Sequence, residues 1–229
     1  MVNPWSVDCE GDQTQGLQRE GLASPEERPL ARRGPARVRA ACWAAPWRSD
    51  AGDRAELYHG RVGIRRAEAT DLAKVERVAR ATWPVAYAGI IPGEVQGRLL
   101  DSWYAPQSLN RALAAQGSSL FVAESDGDVV GFAEFVRRSP ESAELTRIYV
   151  LPASQRGGIG TRLLDAGLAQ CAAEGLTRLT VSVERDNRLG RRFYEKSGFG
   201  EPREHSQQLQ GYVLDLIEYR RPIPGARAR

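Results

Sequence analysis

From residue 62 onward, the spacing of apolar residues predicts regular secondary structure. The run Val62-Gly-Ile-Arg-Arg predicts a short strand. Thr70 and Asp71 can cap a helix, because their side-chain oxygens accept hydrogen bonds from the backbone N–H groups of a first helical turn. The apolar positions that follow have the three-to-four spacing of a helix: Leu72, Val75, Val78 and Ala79. Pro84 has no backbone N–H, so this helix is expected to be interrupted there.

The next segments predict two further helices and a hairpin. Residues 95, 99, 100 and 103 are apolar at helical spacing, and another helix is predicted over residues 107–115. Residues 119–124 and 129–136 are strand-like, because each is rich in β-branched and apolar side chains. Between them, Ser125-Asp-Gly-Asp has the composition of a hairpin turn.

The second half of the chain alternates strands and helices. A β-rich run over residues 144–150 ends before Pro152, and a helix is predicted over residues 159–173. A strand at 179–183, a short helix at 188–196 and a last strand at 212–218 follow. Gly198 can end the short helix in the left-handed conformation. This order predicts an α/β (α+β) fold, with helices on both faces of a mixed central sheet.

Residues 1–60 differ from the rest, being crowded with Gly, Pro, Ala, Arg and Glu and lacking sustained periodicity. We expect a poorly ordered N-terminal extension over 1–60, a domain over 61–221 and a flexible C-terminal tail over 222–229. Trp5, Trp43 and Trp47 are unusual in a disordered extension. Two interpretations stay open: an upstream addition to a product that begins near Val62, or an arm that folds on a partner.

Composition argues against several classes of protein. The formal net charge is +3, and the arginines form no stripe with interleaved aromatic residues, so a nucleic-acid partner is not expected. The 3 cysteines and 2 histidines have no metal-ligand spacing, so no metal is expected. No apolar run approaches the roughly 18 residues of a membrane helix. We therefore expect a cytoplasmic protein that does not associate with a membrane.

The strongest chemical signal is the sequence Val150-Leu-Pro-Ala-Ser-Gln-Arg-Gly-Gly-Ile-Gly-Thr. Here a predicted strand ends, a glycine-rich turn follows and a helix begins. Such a turn directs backbone N–H groups and the positive end of the helix dipole to one place, which suits a pyrophosphate. Glycine is required where a side chain would keep the anion away.

Two common nucleotide motifs do not fit this turn. A P-loop needs a lysine after its last glycine, and none is present. A dinucleotide-binding motif needs a third glycine three residues after Gly160, where Leu163 stands. A tight strand–helix turn without a ligand remains as the purely structural interpretation.

The pattern Gln155-x-x-Gly158-x-Gly160 resembles the acetyl-CoA loop of the GNAT superfamily of N-acetyltransferases. Its context is similar as well: the strand Leu145-Thr-Arg-Ile-Tyr-Val-Leu-Pro precedes it, and a block of Asn187 with Phe193-Tyr-Glu-Lys-Ser-Gly-Phe follows it. The resemblance covers about residues 62–220. It implies a mostly antiparallel sheet flanked by helices on both faces, with acetyl-CoA as co-substrate.

The resemblance also implies roles for particular residues. The strand that contains Tyr149 is expected to hydrogen-bond the pantetheine, and one of its N–H groups to hold the developing oxyanion. Tyr194 is the implied general acid, because a phenol can protonate a departing thiolate. Without the resemblance, Tyr194 is a packed aromatic residue and Asn187 a helix cap. The residues expected to contact acetyl-CoA are Ile148, Tyr149, Val150, Gln155, Arg156, Gly157, Gly158, Ile159, Gly160, Thr161, Asn187 and Tyr194.

The general base is left open among Glu144, Glu134 and a water molecule. Glu144 lies where other members of the superfamily carry a base, and it is the first choice for a second catalytic residue. Burial of a carboxyl group among apolar neighbours raises its pKa towards neutrality, as a base requires. Ser182 stands where the ribosomal-protein N-terminal acetyltransferases carry a glutamate, which argues against that group's mechanism.

The predicted function is transfer of an acetyl group to a primary amine by direct attack. The acceptor is a small molecule or a protein N-terminal amine, and a homodimer is compatible with the family. The aromatic residues of the predicted helices either line the acceptor pocket or belong to the core, which is the more common role: Trp83, Tyr87, Trp103 and Tyr104. The alternative function is a regulatory domain that binds acyl-CoA without turnover.

Overall fold

The computed structural model describes residues 62–225, and the extension predicted over 1–60 lies outside them. The described part contains a seven-stranded sheet in the order β1-β2-β3-β4-β5-β7-β6. Its strands are β1 (Gly63–Arg66), β2 (Ser118–Ser125), β3 (Asp128–Arg137), β4 (Ser142–Val150), β5 (Arg178–Glu184), β6 (Gly200–Leu209) and β7 (Tyr212–Pro222). Its helices are α1 (Leu72–Ala86), α2 (Gly93–Trp103), α3 (Pro106–Ala114), α4 (Ile159–Ala173) and α5 (Arg188–Lys196).

Neighbouring strands of the sheet are antiparallel with one exception, the parallel pair β4 and β5. Helix α4 connects these two strands, as a parallel pair requires a crossover. The mixed, mostly antiparallel sheet predicted from the sequence is therefore confirmed.

Apolar side chains form a core on each face of the sheet, because successive residues of a strand point to opposite faces. On β3, Phe135 belongs to the core under α4, whereas Phe132 belongs to the core under α1, α2 and α3. Helix α4 lies especially close to the sheet at Gly167, where an added Cβ would be 2.0 Å from the Phe135 ring. The helices thus cover both faces, as expected.

Helix α1 is not interrupted at Pro84, contrary to the sequence prediction. The helix continues to Ala86, and the backbone N–H of Tyr87 still donates to the Trp83 carbonyl at 2.9 Å. Because Pro84 lies in the last turn, few intrahelical hydrogen bonds depend on it. Burial of Val78 and Trp83 favours the continuous helix over the proline's local preference.

Strand β6 was not predicted, and the packed part of the chain ends later than expected. Most side chains of β6 are exposed, so no apolar alternation marks it; Pro202 and its charged residues suit an edge strand. At the other boundary, Ile223 is buried and its N–H donates to the Thr177 carbonyl at 2.9 Å. Residue 223 therefore belongs to the fold rather than to the flexible tail predicted over 222–229.

Candidate active site

Strands β4 and β5 run side by side for only three residues before they diverge. Ser142–Glu144 pair with Arg178–Thr180, and Glu144 opposite Thr180 is the last pair. Beyond it, β4 continues to Val150 beside β3, and β5 continues to Glu184 beside β7. The two edges that face each other across the gap therefore expose backbone N–H and C=O groups that no strand satisfies.

A β-bulge in β4 accompanies this divergence. Glu134 pairs with Arg147 while Phe135 pairs with Leu145, so Thr146 is an extra residue in the ladder. A bulge bends its strand and increases the local twist. The bulge lies two residues after the last β4–β5 pair, where the bend carries β4 away from β5.

The gap between the strands is the floor of a cleft of about 490 Å³. Both strands line it, together with the end of α1, the loop before α4 and the beginning of α5. Among the lining residues, Arg147 and Arg156 are the ones with charged side chains. Eleven of the twelve residues predicted to contact acetyl-CoA line this cleft; the exception is Gly157.

The loop before α4 presents main-chain N–H groups to the cleft. The first bond of the helix runs from Arg162 N to the Gly158 carbonyl at 3.0 Å, so the N–H groups of the first turn have no intrahelical acceptor. Gly158 has a φ of 75°, a left-handed conformation that favours glycine. Gln155 Nε2 donates to the Val150 carbonyl at 3.0 Å and fixes the loop to β4. Amides at the positive end of a helix fit a pyrophosphate.

Gly160 allows α4 and α5 to approach one another at this end of the cleft. A Cβ at Gly160 would lie 3.3 Å from the Phe193 ring, closer than side chains normally pack. A larger residue would therefore push α5 away from the loop. The glycine that the family pattern requires here has a packing reason in addition to access for an anion.

Helix α5 carries Tyr194 into the cleft, and its ring packs against Phe193 and Phe199 at centroid distances of 5.4 and 5.6 Å. Burial, and then the neighbouring Tyr87, raise the pKa of the Tyr194 phenol, which stays protonated at neutral pH. Among the described residues, no hydrogen-bond partner of its hydroxyl is found. Tyr194 is thus a packed aromatic residue that lines the cleft.

Asn187 and Glu184 fix the start of α5. Asn187 Oδ1 accepts the N–H of Gly190 at 2.9 Å, which is the helix cap read from the sequence. The sequence analysis did not identify Glu184, whose Oε2 accepts the N–H groups of Asp186 at 2.7 Å and Asn187 at 3.1 Å. This carboxylate holds the turn that places Asn187 beside the cleft.

The four aromatic residues of α1 and α2 divide between core and cleft. Tyr87 lines the cleft, and its hydroxyl oxygen lies 3.1 Å from that of Tyr149. Trp83 and Tyr104 are fully buried, and Trp103 packs edge-on against Trp83 at 5.6 Å. None of these last three is among the residues that line the cleft in the described part of the chain.

Glu144 and Glu134, the two candidate bases, are buried but do not line the cleft. Glu144 Oε2 accepts a hydrogen bond from Arg138 Nε at 2.8 Å. Burial raises the pKa of Glu144 to about 7, against the opposing effect of Arg138. Glu134 Oε2 accepts the Thr146 hydroxyl at 2.7 Å and lies 2.9 Å from Arg147 Nε. A base role for either residue stays a prediction.

Residues 62–225 contain no candidate metal site and no candidate membrane-spanning helix. No three His, Cys, Asp or Glu side chains in this part of the chain are grouped so that they could hold a metal ion. No helix there is long and apolar enough to cross a bilayer.

Comparisons with known proteins identify the family of the chain. The model of the acetyltransferase (GNAT) family matches residues 80–199. The spermidine N(1)-acetyltransferase of Thermoplasma acidophilum is 30% identical over 146 residues, which cover 60% of this chain and 88% of that protein. An uncharacterised N-acetyltransferase of Mycobacterium bovis is 28% identical over 130 residues, covering 57% and 83% of the two chains.

The structural comparison gives the same family. The crystal structure of the PaiA N-acetyltransferase from Thermoplasma acidophilum, in complex with coenzyme A, has a TM-score of 0.58 and 26% identity. The match covers 69% of this chain and 97% of that one. The chain belongs to the GNAT family and is an acetyl-CoA-dependent acyltransferase.

Proposed function

We propose that the protein transfers the acetyl group of acetyl-CoA to a primary amine by direct attack, without an acetylated enzyme. The observation that carries this proposal is the diverging pair β4 and β5, which opens a cleft that Tyr194 lines. When bound, acetyl-CoA supplies an activated thioester. The amine is a small molecule or a protein N-terminus, and the reaction takes place in the cytoplasm.

In this proposal the main chain holds and orients the co-substrate. The amides of the loop and of the first turn of α4 bind the pyrophosphate, assisted by the positive end of the helix dipole. The exposed edge of β4 over Ile148, Tyr149 and Val150 hydrogen-bonds the extended pantetheine as an added strand would. One N–H of this edge stabilises negative charge that develops on the carbonyl oxygen.

Tyr194 supplies the proton that the departing thiolate takes up. Tyr194 lines the cleft, and its phenol is protonated at neutral pH, so a proton is available when the thiolate departs. The edge-on contacts with Phe193 and Phe199 hold the ring in one orientation. The group is therefore positioned before the reaction begins.

Glu144 is proposed to take the proton of the amine through water, because it does not line the cleft itself. It lies at the last β4–β5 pair, directly where the gap opens. A pKa of about 7 is suited to accepting a proton near neutrality. Its second oxygen, Oε1, has no hydrogen-bond donor among the described residues.

Direct attack is supported by the state of the cysteine that the structure describes. Cys171 on α4 is buried, and burial raises the pKa of its thiol to about 11. A protonated thiol is a poor nucleophile. It also does not line the cleft within residues 62–225.

Initial-rate kinetics test the proposal, with thiol release measured against a panel of amines at several acetyl-CoA concentrations. We expect intersecting double-reciprocal lines, because both substrates must be bound together. Parallel lines would indicate an acetyl-enzyme and contradict direct attack. Tight binding of acetyl-CoA without thiol release from any amine would favour the regulatory alternative.

A further inference from the structure

The two sides of the cleft are formed by opposite faces of β4. Beyond the bulge at Thr146, Ile148 and Val150 pack against the core under α4. Arg147 and Tyr149 point the other way, toward Tyr104 and Tyr87. The loop that suits a pyrophosphate begins α4, so acetyl-CoA is expected from the α4 side. Arg147 then lies on the side left for the acceptor.

The guanidinium of Arg147 is held firmly, and only 10% of its side chain is exposed. Its central carbon lies 4.9 Å from the centroid of the Tyr104 ring, and Nη1 donates to the Trp103 carbonyl at 3.3 Å. Nε lies 2.9 Å from Glu134 Oε2 but lacks hydrogen-bond geometry. Packing and charge therefore fix the orientation of this side chain before any ligand binds.

The guanidinium of Arg147 has more N–H donors than the surrounding protein has acceptors for them. A guanidinium carries five N–H groups. Among residues 62–225, Nη1 donates to the Trp103 carbonyl at 3.3 Å, and the Tyr104 hydroxyl and the Glu134 carboxylate also lie beside the guanidinium, which leaves N–H groups over. Arg147 also lines the cleft, so the remaining donors can serve a ligand there.

The cleft wall has no negative charge to attract a cationic acceptor. Within the described part of the chain, none of the lining residues is an Asp or a Glu. Glu134 is paired with Thr146 and Arg147, and Glu184 accepts two backbone N–H groups. Glu144 is paired with Arg138 through one oxygen and does not line the cleft. A polyamine would therefore bring a second positive charge toward Arg147 without a carboxylate on the wall to pair with it.

We propose that Arg147 binds a carboxylate of the acceptor, and that the acceptor is therefore an amino acid or a similar carboxylate-bearing primary amine. This inference rests on the proposed function and names its substrate class. A planar carboxylate matches the guanidinium fork, and such charged hydrogen bonds are among the stronger ones in proteins.

Apolar residues at the cleft extend the inference to the side chain of the acceptor. Val85 and Ala86, at the end of α1, both line the cleft, and Val85 is 63% exposed. Large apolar side chains that remain this exposed offer contact area to a ligand. An amino acid with an apolar side chain is the acceptor that fits both features.

The test compares leucine, methionine and phenylalanine with their carboxamides and with spermidine in the thiol-release assay. We expect the amino acids to exceed their carboxamides about tenfold or more in kcat/KM, as a charged hydrogen bond contributes. The amine of a carboxamide is the more easily deprotonated one, so chemical reactivity alone gives the opposite order. Arg147→Gln should lower the ratio of acid to carboxamide about tenfold, and Arg147→Lys should restore part of it.

Arg77→Gln is the matched control, because Arg77 is exposed, pairs with Asp128 and lies outside the cleft lining. It should keep the wild-type ratio. Calorimetric binding of acetyl-CoA by each variant verifies that it is folded. Equal turnover of acids and carboxamides, or a preference for spermidine, would overturn this inference and leave the proposed function intact. Absence of turnover with every amine, despite acetyl-CoA binding, would overturn both.

Discussion

The hydroxyl oxygen of Tyr87, at the end of α1, lies 3.1 Å from the hydroxyl oxygen of Tyr149 on β4. Burial raises the pKa of both phenols, so both are protonated at neutral pH and one donates to the other. This bond joins α1 to the half of β4 that β5 no longer supports. It therefore stabilises the strand edge that is proposed to bind pantetheine.

The hydrogen bond between Tyr87 and Tyr149 should make the effects of substituting the two residues on the free energy of unfolding depend on each other. Tyr87→Phe and Tyr149→Phe should each lower the free energy of unfolding by about 1 kcal/mol, because each leaves a buried hydroxyl without its partner. The double variant should lose less than the sum of the two. Urea unfolding of the four proteins measures this difference. Strict additivity would show that the hydroxyls do not interact.

Removal of the Tyr194 hydroxyl should affect catalysis more than binding. We expect Tyr194→Phe to lower kcat about 100-fold, the range of a general acid, since the ring contacts remain and only the proton donor is lost. Acetyl-CoA affinity, measured by calorimetry, should change little. Tyr212→Phe is the control, because Tyr212 donates to the Ile90 carbonyl outside the cleft lining. An unchanged kcat in Tyr194→Phe would remove this residue from the mechanism.

Two glycines have nearly the same backbone conformation, so alanine variants at both positions distinguish the effect of backbone strain from the effect on ligand binding. Gly158 has a φ of 75° in the loop before α4, and Gly127 a φ of 79° in the β2–β3 turn. Alanine at either position should lower stability by about 1–2 kcal/mol. Only Gly158→Ala should raise the Kd of acetyl-CoA, because the strain shifts amides that face the ligand. Equal affinities of the two variants would argue against the loop as the pyrophosphate site.

The raised pKa of Glu144 implies that both kcat/KM and the free energy of unfolding depend on pH near neutrality. Burial raises the pKa of its carboxyl group from the ordinary 4.5 to about 7. If Glu144 is the base, kcat/KM should rise as pH increases through about 7, and Glu144→Gln should lose this rise. The folded state holds the proton more tightly than the unfolded state. The stability from this group is therefore complete below pH 4.5 and is lost as pH rises to about 7.

Equilibrium unfolding in urea at several pH values measures the predicted change in the free energy of unfolding. The wild type should lose stability between pH 5 and pH 7 relative to Glu144→Gln, roughly as one titrating group requires. A rate profile that is the same in both proteins would assign the base to another group or to water.

Helix glycines give opposite expectations for stability, depending on what lies next to them. At Gly167 an added Cβ meets the Phe135 ring at 2.0 Å, whereas at Gly97 in α2 it meets nothing within 4 Å. Gly167→Ala should lower the free energy of unfolding by about 1–3 kcal/mol or more through overpacking. Gly97→Ala should raise it by about 0.5–1 kcal/mol through helix propensity. Thermal unfolding measures both, and equal shifts would contradict the packing at Gly167.

Much of the secondary structure could be predicted because it depends on local spacing. The β2–β3 hairpin and helix α4 follow from turn composition and from apolar periodicity. Strand β6 could not be predicted, because it is an exposed edge strand that pairs, within residues 62–225, with β7 alone. Pro84 was misjudged because burial of the α1 face outweighs a local preference in the last turn.

The sequence by itself determined the position of the glycine-rich loop. Its glycines and the helix that begins at Ile159 specify where free main-chain N–H groups lie close together. Only the tertiary structure decided which side chains face the cleft. Strict alternation along β4 would put Leu145 and Arg147 on the same face. The bulge at Thr146 reverses the alternation, so Leu145 and Ile148 share the core under α4 while Arg147 faces the other side. The bulge arises from the register in which β4 pairs with β3, and this register cannot be inferred from the sequence of β4 alone.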